Sequence, residues 1–517
     1  MRGKDSRAPG YIPNVRWLPG LFLLAATSVA AQGSPFIPLD HPLLPLAEYL
    51  IARGDLVDPS PMVRPFRRAD LIGAIDRAAL DSATPSGRIA ATLRAAFTDR
   101  AEANWARFAP RIGAEVSSRA RRDLLHPAGD GAVRFYADAA FEGRFGNIVL
   151  ASRPAAENRL KTDPDWGGGT IQQRKNQAYR FAEGYLAAQF EHVRLFFGQM
   201  SRNWGPVGTL GLSIADYGYP RTDLGFGLVF RDFQIDFVGT QLTGMVADDG
   251  AVRSRYFLAH RLNVRATHRL NLAIWETGLL SPDRTSFDPT FFNALVLLSF
   301  PAQLGLPDER NTIIGGDLSW RVGRVLLEGQ AMIDDRWRLK ADPSGTGEPS
   351  HPGRWALTGA AGGPLSTRAT WRTTLAVVSS LAYRTIDSTK NFVDRGIGIG
   401  PNFTDRLVAG ASVSVPVAGR WLVTPDLTYQ VQGEGRIDIP FPADAELTNT
   451  PEIFIGRTEK TLRLGLTVSG GAGRFEISGT GGYFRTTDLD HVAGATRNRF
   501  EARLRATVGF AKQGVIR

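Results

Sequence analysis

The stretch NRFEARLRATVGF, residues 498–510, determines how the rest of the chain is interpreted. Apolar side chains occupy every second position from Phe500 to Phe510, and the positions from Arg499 to Thr507 between them are charged or polar. Side chains of a β-strand alternate between its two faces, so one face of this strand is apolar and the other is charged. Such a strand suits a wall between lipid and an aqueous lumen.

The same alternation recurs upstream. Residues 462–468 place leucines opposite Arg463, and residues 256–264 place apolar side chains opposite Arg261, with His260 as the polar exception on the apolar face. A bulge or a position at the membrane interface would account for His260. Residues 234–246 are apolar on both faces, which predicts that one face packs against a loop folded into the lumen. Eighteen candidate strands start near Pro110, Val133, Asn147, Tyr179, Val193, Leu224, Gln234, Arg255, Arg269, Thr312, Val325, Arg354, Thr370, Thr404, Trp421, Glu459, Arg474 and Asn498.

Tight and long connections alternate between these strands. Tight turns are predicted at 143–147, 231–233, 266–268, 322–324, 418–420 and 470–473, and long loops at 154–177, 201–223, 279–311 and 432–458. This rhythm is typical of outer-membrane barrels, which have short periplasmic turns and long external loops. The sequence therefore predicts an all-β transmembrane barrel of about 18 antiparallel strands. A large soluble β protein is the alternative.

The N-terminal segment predicts export. Basic residues up to Arg16 precede a short apolar run, Leu18 to Ala26, and small residues precede Gln32, as in a cleaved signal peptide; an uncleaved anchor is the alternative. We predict a signal peptide at 1–31, a periplasmic helical module at 32–108, the barrel at 109–510 and a C-terminal tail at 511–517. No segment approaches the length of a transmembrane helix, so an exported, membrane-embedded chain has to close a barrel.

Three short amphipathic helices are predicted in the module. Leu43, Leu46, Ala47, Leu50 and Ile51 form one apolar stripe that ends at Gly54, a typical C-terminal stop. A second stripe covers residues 71–79. In a third helix, Thr84 and Pro85 provide the N-cap and the first-turn proline.

The composition excludes some kinds of site and indicates the class of partner. The chain has 61 Lys and Arg, 51 Asp and Glu, a net charge of +10 and no cysteine, so disulfides and thiolate metal sites are excluded. The positive balance indicates an anionic partner. For an exported chain, acidic surface polysaccharide or lipopolysaccharide phosphate is a better candidate than nucleic acid.

No catalytic or cofactor-binding constellation is evident. His260 and His268 lack metal-ligand spacing, and the alternating glycines at 396, 398 and 400 lack the strand-then-helix context of a phosphate loop. The acids at 334 and 335 are adjacent, so on a strand they point to opposite faces. We expect no enzyme activity, cofactor or metal site.

Arginines near aromatic residues carry the strongest functional signal. Arginine offers a fork of donors that matches carboxylates and phosphates, and an aromatic face can stack on a sugar. The predicted polysaccharide-binding residues are Arg202, Asn203, Trp204, Trp166, Arg261, Arg265 and Trp337.

Several motifs resemble those of the capsule-assembly Wzi family. They are FGQMSRNWGP at 197–206 followed by Leu212 and Ser213, YFLAHRL at 256–262, LAIWE at 272–276, residues 311–317, and the helical start at 45–65. The resemblance implies an eighteen-stranded outer-membrane barrel with an N-terminal helical bundle, which acts like a lectin in attaching capsular polysaccharide.

We therefore predict an outer-membrane protein of a Gram-negative-type bacterium that binds and helps attach or assemble capsular or surface polysaccharide. Expected partners are an anionic surface polysaccharide, outer-membrane lipid or lipopolysaccharide and, during biogenesis, the barrel-assembly machinery. A porin-like channel for anionic solutes or oligosaccharides is the alternative, and an outer-membrane enzyme is a third possibility.

Overall fold

The protein forms one closed barrel with a helical module at one end. The structure, a computed structural model, describes residues 33–118, 131–157, 160, 163, 166, 179–247, 249–282, 310–334, 352–440 and 449–516. The eighteen long strands, β1–β18, are Asn104–Ser118, Ala132–Phe145, Ile148–Glu157, Tyr179–Gln189, Val193–Gln199, Thr222–Val229, Phe233–Val246, Val252–Arg265, Leu270–Leu280, Arg310–Val322, Val325–Asp334, Trp355–Pro364, Thr370–Val378, Arg406–Val417, Trp421–Gln432, Glu459–Ala472, Phe475–Thr487 and Thr496–Gly509.

Each strand pairs antiparallel with its neighbours in sequence, and β1 pairs with β18 to close the sheet. The closed antiparallel barrel of eighteen strands predicted from the sequence is confirmed. The predicted tight turns lie at one end of the barrel, and the connections at the other end are mostly long. These are called the tight-turn end and the long-loop end below.

The first strand begins earlier than predicted, because Asn104 rather than Pro110 opens it. Pro110 lies where β1 changes partner: Arg111 pairs with Gly509, and Phe108 pairs with Lys512. A proline, which has no N–H to donate, is tolerated at such an irregularity. Within the predicted tail, Lys512–Val515 form a short strand against β1.

The outward faces are those predicted from the alternation. In β18, Phe500 is 67% exposed, whereas the inward-facing Glu501 is buried. His260 lies on the outward face without a bulge at its own position, since the register shift in β8 lies between Arg253 and Arg255. Its Nδ1 atom lies 3.0 Å from a carboxylate oxygen of Glu276 on β9. A cross-strand polar contact with Glu276 therefore accounts for this histidine.

The module contains three α-helices in the described residues, α1 Leu44–Arg53, α2 Arg68–Ala78 and α3 Pro85–Phe97. The predicted helix signals are confirmed: Gly54 ends α1 at φ 83°, and the Thr84 hydroxyl accepts a hydrogen bond from the Gly87 N–H at 3.0 Å. The apolar stripes of the three helices form their own core, which extends to Leu326 and Leu422 of the barrel wall.

Hydrogen bonds place this module at the tight-turn end. Four carbonyl groups from three tight turns, those of Gly146, Ser366, Arg368 and Gly419, accept hydrogen bonds from Gly33, Arg53, Tyr49 and Thr92 respectively.

Buried polar groups tie the module to the inner wall. Ser34 and Gln189 exchange two hydrogen bonds of 2.9 and 3.0 Å. Arg68 forms ion pairs with Asp99 and with Glu142 of β2, and Arg153 of β3 lies 2.9 Å from Asp40. Directional contacts on several sides hold the module in place at the tight-turn end of the barrel. We also call the module the plug.

Candidate functional site

The loop that follows β5 enters the barrel instead of extending outward. Its residues Asn203–Trp204 pair with Val63–Arg64 of the module in a two-stranded sheet. Trp204 is 3% exposed, and its carbonyl accepts a hydrogen bond from the Gln330 side chain of β11 at 3.0 Å. The outside position predicted for residues 202–204 is therefore corrected, because module and wall contacts draw this segment inward.

Asn203 shapes the infolded loop. Its side-chain amide donates to the Thr209 carbonyl at 3.0 Å and accepts from the Gly211 N–H at 2.7 Å. A side chain that bridges two backbone groups of the same loop fixes a turn. The next contacts reach the opposite wall, where Gln330 accepts from the Leu212 N–H and Arg372 donates to the Val207 carbonyl.

A buried polar network on the wall supports this loop. Asp317 of β10 accepts hydrogen bonds from Arg261, Trp275 and Gln330 at 3.0, 2.8 and 2.8 Å. The Arg261 side chain is 2% exposed. The predicted site residue Arg261 is therefore buried in the wall. It shares the acceptor Asp317 with Gln330, the residue that donates to the Trp204 carbonyl.

A second loop, residues 379–405, fills the long-loop end. Arg255 of β8 donates to the carbonyls of Thr389, Asn391 and Val393 at 2.5, 2.8 and 2.9 Å. The Tyr383 hydroxyl donates to the Leu212 carbonyl at 2.9 Å and so joins the two infolded loops.

The two loops and the wall of β7–β13 share one apolar cluster, which includes Trp204, Phe257, Phe392 and, from β7, Val238 and Leu242. The sequence-based expectation that one face of residues 234–246 packs against an infolded loop is confirmed. On this side the lumen is occupied by protein.

The opposite side of the lumen is more open. Inward-facing Ser412, Ser414, Thr424, Thr467 and Thr480, on β14–β17, are only half-buried. A crevice of about 770 Å³ opens there at the tight-turn end, beside α3, lined by Arg88, Arg107, Arg420 and Glu476 among others.

Nearer the long-loop end, the inward side chains of the same strands are closely packed: Gln430, Thr461, Phe484 and Thr486 are at most 4% exposed. Among the described residues, the inward side chains on this side are therefore more deeply buried toward the long-loop end.

An aromatic and arginine cluster lies where the β3–β4 and β5–β6 connections meet. The ring of Trp166 meets that of Tyr219 edge-on at 4.6 Å, and Arg180 lies 5.3 Å from the Tyr219 ring centre. The Tyr219 hydroxyl donates to Asp163 at 2.6 Å. We call Trp166, Arg180, Tyr219 and Arg221 the rim cluster.

Next to the rim cluster is a shallow cleft of about 20 Å³, lined by Arg202, Asp216, Tyr219, Arg221 and Asp223 among others. Arg202 pairs with Asp223 at 3.1 Å and lies 4.3 Å from the Phe196 ring centre. Trp166 and Arg202, both predicted site residues, are thus brought to the same region. Half-buried aromatic rings beside arginine donors are suited to sugar and carboxylate groups.

The other predicted residues do not join this cluster. Arg265 ends β8 at the tight-turn end, where its N–H donates to the Asp232 carbonyl of a tight turn. Trp337 lies outside the described residues. Sequence reasoning missed Tyr219 and Arg221, although YGYPR at 217–221 carries the same signal, aromatic residues beside arginine, in the same loop.

Within the described part of the chain, no helix is long and apolar enough to span a membrane. Among the same residues, no group of three or more histidine, cysteine, aspartate or glutamate side chains is placed to hold a metal ion.

Comparisons with known proteins identify the fold. No protein-family model and no curated relative matches the chain. The structure of Wzi, an Escherichia coli outer-membrane protein described as a carbohydrate-binding β-barrel involved in group 1 capsule assembly, has a TM-score of 0.64 at 13% identity, over 92% of this chain and 100% of that one. The predicted resemblance to the Wzi family is thus confirmed at the level of fold.

Two Pseudomonas aeruginosa barrels are also similar. OccK11 (OpdR) has a TM-score of 0.42 at 11% identity, over 79% of this chain and 96% of its own. OprD has a TM-score of 0.41 at 11% identity, over 81% and 99%.

Proposed function

We propose that the protein resides in the outer membrane, after export by its N-terminal signal peptide, and binds surface polysaccharide to help attach or assemble it at the cell surface. The observation that carries this proposal is the occupied lumen. Two infolded loops and the module share hydrogen bonds inside the barrel, and the rim cluster remains at the long-loop end. This arrangement favours a binding surface over a conduit.

Binding would use the chemistry of the rim cluster. Trp166 and Arg221 are both half-buried, and Arg221 lines the cleft. Arginine pairs with the carboxylates or phosphates of an anionic glycan, and a tryptophan ring covers the apolar face of a sugar. Each contact is weak, but a polymer that meets several protein copies binds them with avidity. Lipopolysaccharide phosphate is a second anionic partner of the same kind.

Arg202, Asn203 and Trp204 take a different part in this proposal. Arg202 borders the cleft, whereas Asn203 and Trp204 hold the infolded loop and so position the rim cluster. Arg261 acts through Gln330 in the same way. We assign no catalytic role to any of them, and we expect no cofactor.

The experiment is gene deletion in the native host, followed by the ratio of cell-bound to released polysaccharide. We expect polysaccharide to be released while total synthesis is unchanged. Complementation with Trp166→Ala or Arg221→Ala should restore attachment only in part, whereas Arg265→Ala, an arginine change at the opposite end, should restore it fully. An unchanged ratio on deletion would contradict the proposal.

A porin-like channel is the second candidate, because the half-buried hydroxyls of β14–β17 form a polar side of the lumen. The packed layer of Gln430, Thr461 and Phe484 argues against it. Conductance across a planar bilayer separates the two functions: a steady open pore would favour transport, and a closed barrel that binds glycan would favour attachment.

A further inference from the structure

A further cavity, of about 100 Å³, lies inside the barrel between the module, β4–β7 and the infolded loop. Its charged lining residues are Arg64, Arg67, Asp70, Arg194, Arg202 and Asp236, and we call it the plug cavity. One of its four arginines, Arg64, is paired with Glu48 and Asp58 of the module. The other three come from three separate parts of the protein: Arg67 from the module, Arg194 from the wall strand β5, and Arg202 from the infolded loop.

The carboxylates near these three arginines are too few to accept hydrogen bonds from all of the guanidinium N–H groups. Arg67 and Arg194 share one partner, Asp70, at 3.3 and 3.6 Å, and Arg202 pairs with Asp223 at 3.1 Å. Asp236 accepts two hydrogen bonds from the Gln234 amide, at 2.8 and 2.9 Å.

Each guanidinium keeps one buried N–H group without an acceptor among the described residues: Arg67 Nε, Arg194 Nε and Arg202 Nη2. The Arg67 and Arg202 side chains are only 10% and 13% exposed. Buried donors without acceptors are costly, more so when they are charged. Three arginines that each keep such a donor line the same cavity, which favours an acceptor with several lone pairs there.

The surroundings strengthen binding of such an acceptor. Phe36, Phe196 and Trp204 also line the plug cavity, and an apolar wall raises the strength of charge interactions. Water can still enter, because the side chains of Asp70 and Arg194 are 30% and 28% exposed. Arg194 lies one residue from the start of β5, so the entry is on the tight-turn side.

We propose that the plug cavity binds a compact oxyanion, a carboxylate or a phosphate group, through Arg67, Arg194 and Arg202. The bound group joins module, wall and infolded loop, and it stabilises the closed state of the barrel. This site does not depend on the proposed glycan-binding function, because its ligand enters from the tight-turn side and its readout is stability.

The test uses the full-length mature protein in detergent micelles. Its thermal unfolding is followed while inorganic phosphate or glucuronate replaces chloride at constant ionic strength. We expect an increase of several degrees in Tm that saturates with the anion. The two anions separate the sources, since phosphate represents a free or headgroup phosphate and glucuronate represents an acidic sugar. Binding of either supports the site, and no shift with either overturns it, since water alone then occupies the cavity.

Two substitutions with opposite expected effects make the test specific. Arg194→Gln should abolish the anion-dependent shift. Asp70→Asn removes the carboxylate that competes for two of the arginines, so it should raise the apparent affinity by roughly tenfold, as expected for loss of a like charge a few ångströms away.

Arg94→Gln is the matched control, because Arg94 forms an exposed ion pair with Asp76 at 2.6 Å away from the plug cavity. It should leave the anion response unchanged. If Arg194→Gln fails to fold, Asp70→Asn decides the outcome, because it removes no arginine. Equal shifts in the wild type, Asp70→Asn and Arg94→Gln would overturn the proposal and indicate nonspecific anion binding.

Discussion

Trp204 of the infolded loop pairs with Val63 of the N-terminal module, so the plug and the loop form a two-stranded sheet inside the barrel. The Trp204 ring belongs to the apolar cluster shared with β7–β13. One residue thereby couples the module, the loop and the opposite wall.

Trp204→Ala should destabilise the folded barrel by about 3–5 kcal/mol, the usual cost of truncating a buried aromatic side chain. Urea unfolding in micelles, followed by the heat-dependent gel shift of folded barrels, measures this loss. Trp166→Ala is the control, because Trp166 lies half-buried at the rim, and it should cost far less. Equal losses for both variants would contradict the central position of Trp204.

Arg68→Met should loosen the plug. Arg68 is buried between Asp99 and Glu142, and removal of one partner of a buried ion pair typically costs about 3–5 kcal/mol. We expect faster cleavage of residues 33–98 by an added protease. Arg94→Gln breaks an exposed pair, worth about 0–1 kcal/mol, so unchanged cleavage is expected there. Resistance of Arg68→Met equal to that of wild type would show that the plug is held by its apolar core instead.

The eighteen strands are predictable from the sequence because each depends on local alternation and a nearby turn. Leu462–Val468 and Phe500–Phe510 show their faces without any knowledge of their neighbours. Even the infolding was partly visible, since residues 234–246 have two apolar faces and only one can meet lipid.

The path of the β5–β6 loop was not predictable. It is fixed by Gln330, 126 residues away from Trp204, and by Val63 in another part of the fold. A motif such as RNWGP at 202–206 specifies a turn, but not whether long-range partners draw it inward. The location of Arg265, in contrast, was predictable. It directly precedes the predicted tight turn at 266–268, which places it at the tight-turn end.

The plug should become less stable as the pH is lowered, because His41 is then protonated. Burial and the neighbouring Arg111 and Arg68 lower the pKa of His41 to about 3. Its Nδ1 accepts a hydrogen bond from the Leu43 N–H at 3.2 Å, which requires the unprotonated nitrogen. The stabilising contribution is therefore complete above pH 6.5, the ordinary histidine value, and is lost progressively as pH falls toward 3, by about 1.4 kcal/mol per pH unit.

His41→Asn should remove this dependence, since the Asn side-chain oxygen can accept the same N–H. Unfolding free energies at pH 7, 6 and 5 are compared between wild type and variant. Carboxylates titrate in both proteins, so their effect cancels in the difference. Parallel pH profiles of the two proteins would exclude His41 as the titrating group.

Asp405 should hold the β15–β16 connection closed at the long-loop end. Its buried carboxylate accepts hydrogen bonds from the N–H groups of Gly435, Phe454 and Ile455 at 3.0, 2.5 and 2.9 Å, and so gathers two segments of the β15–β16 connection. The residue adopts φ 57°, a conformation that Asn also tolerates. Asp405→Asn therefore keeps the backbone and replaces one acceptor oxygen with a donor.

A hydrogen bond to a charged group is worth about 1.5–3 kcal/mol, so opening of this connection should become roughly tenfold or more frequent. Protease added to intact cells should then cleave the variant faster in residues 433–458, in proportion to the open population. Asp438→Asn is the control, because Asp438 pairs with Arg436 in a more exposed position. Cleavage that rises equally in both variants would assign the effect to lost negative charge rather than to the three backbone contacts of Asp405.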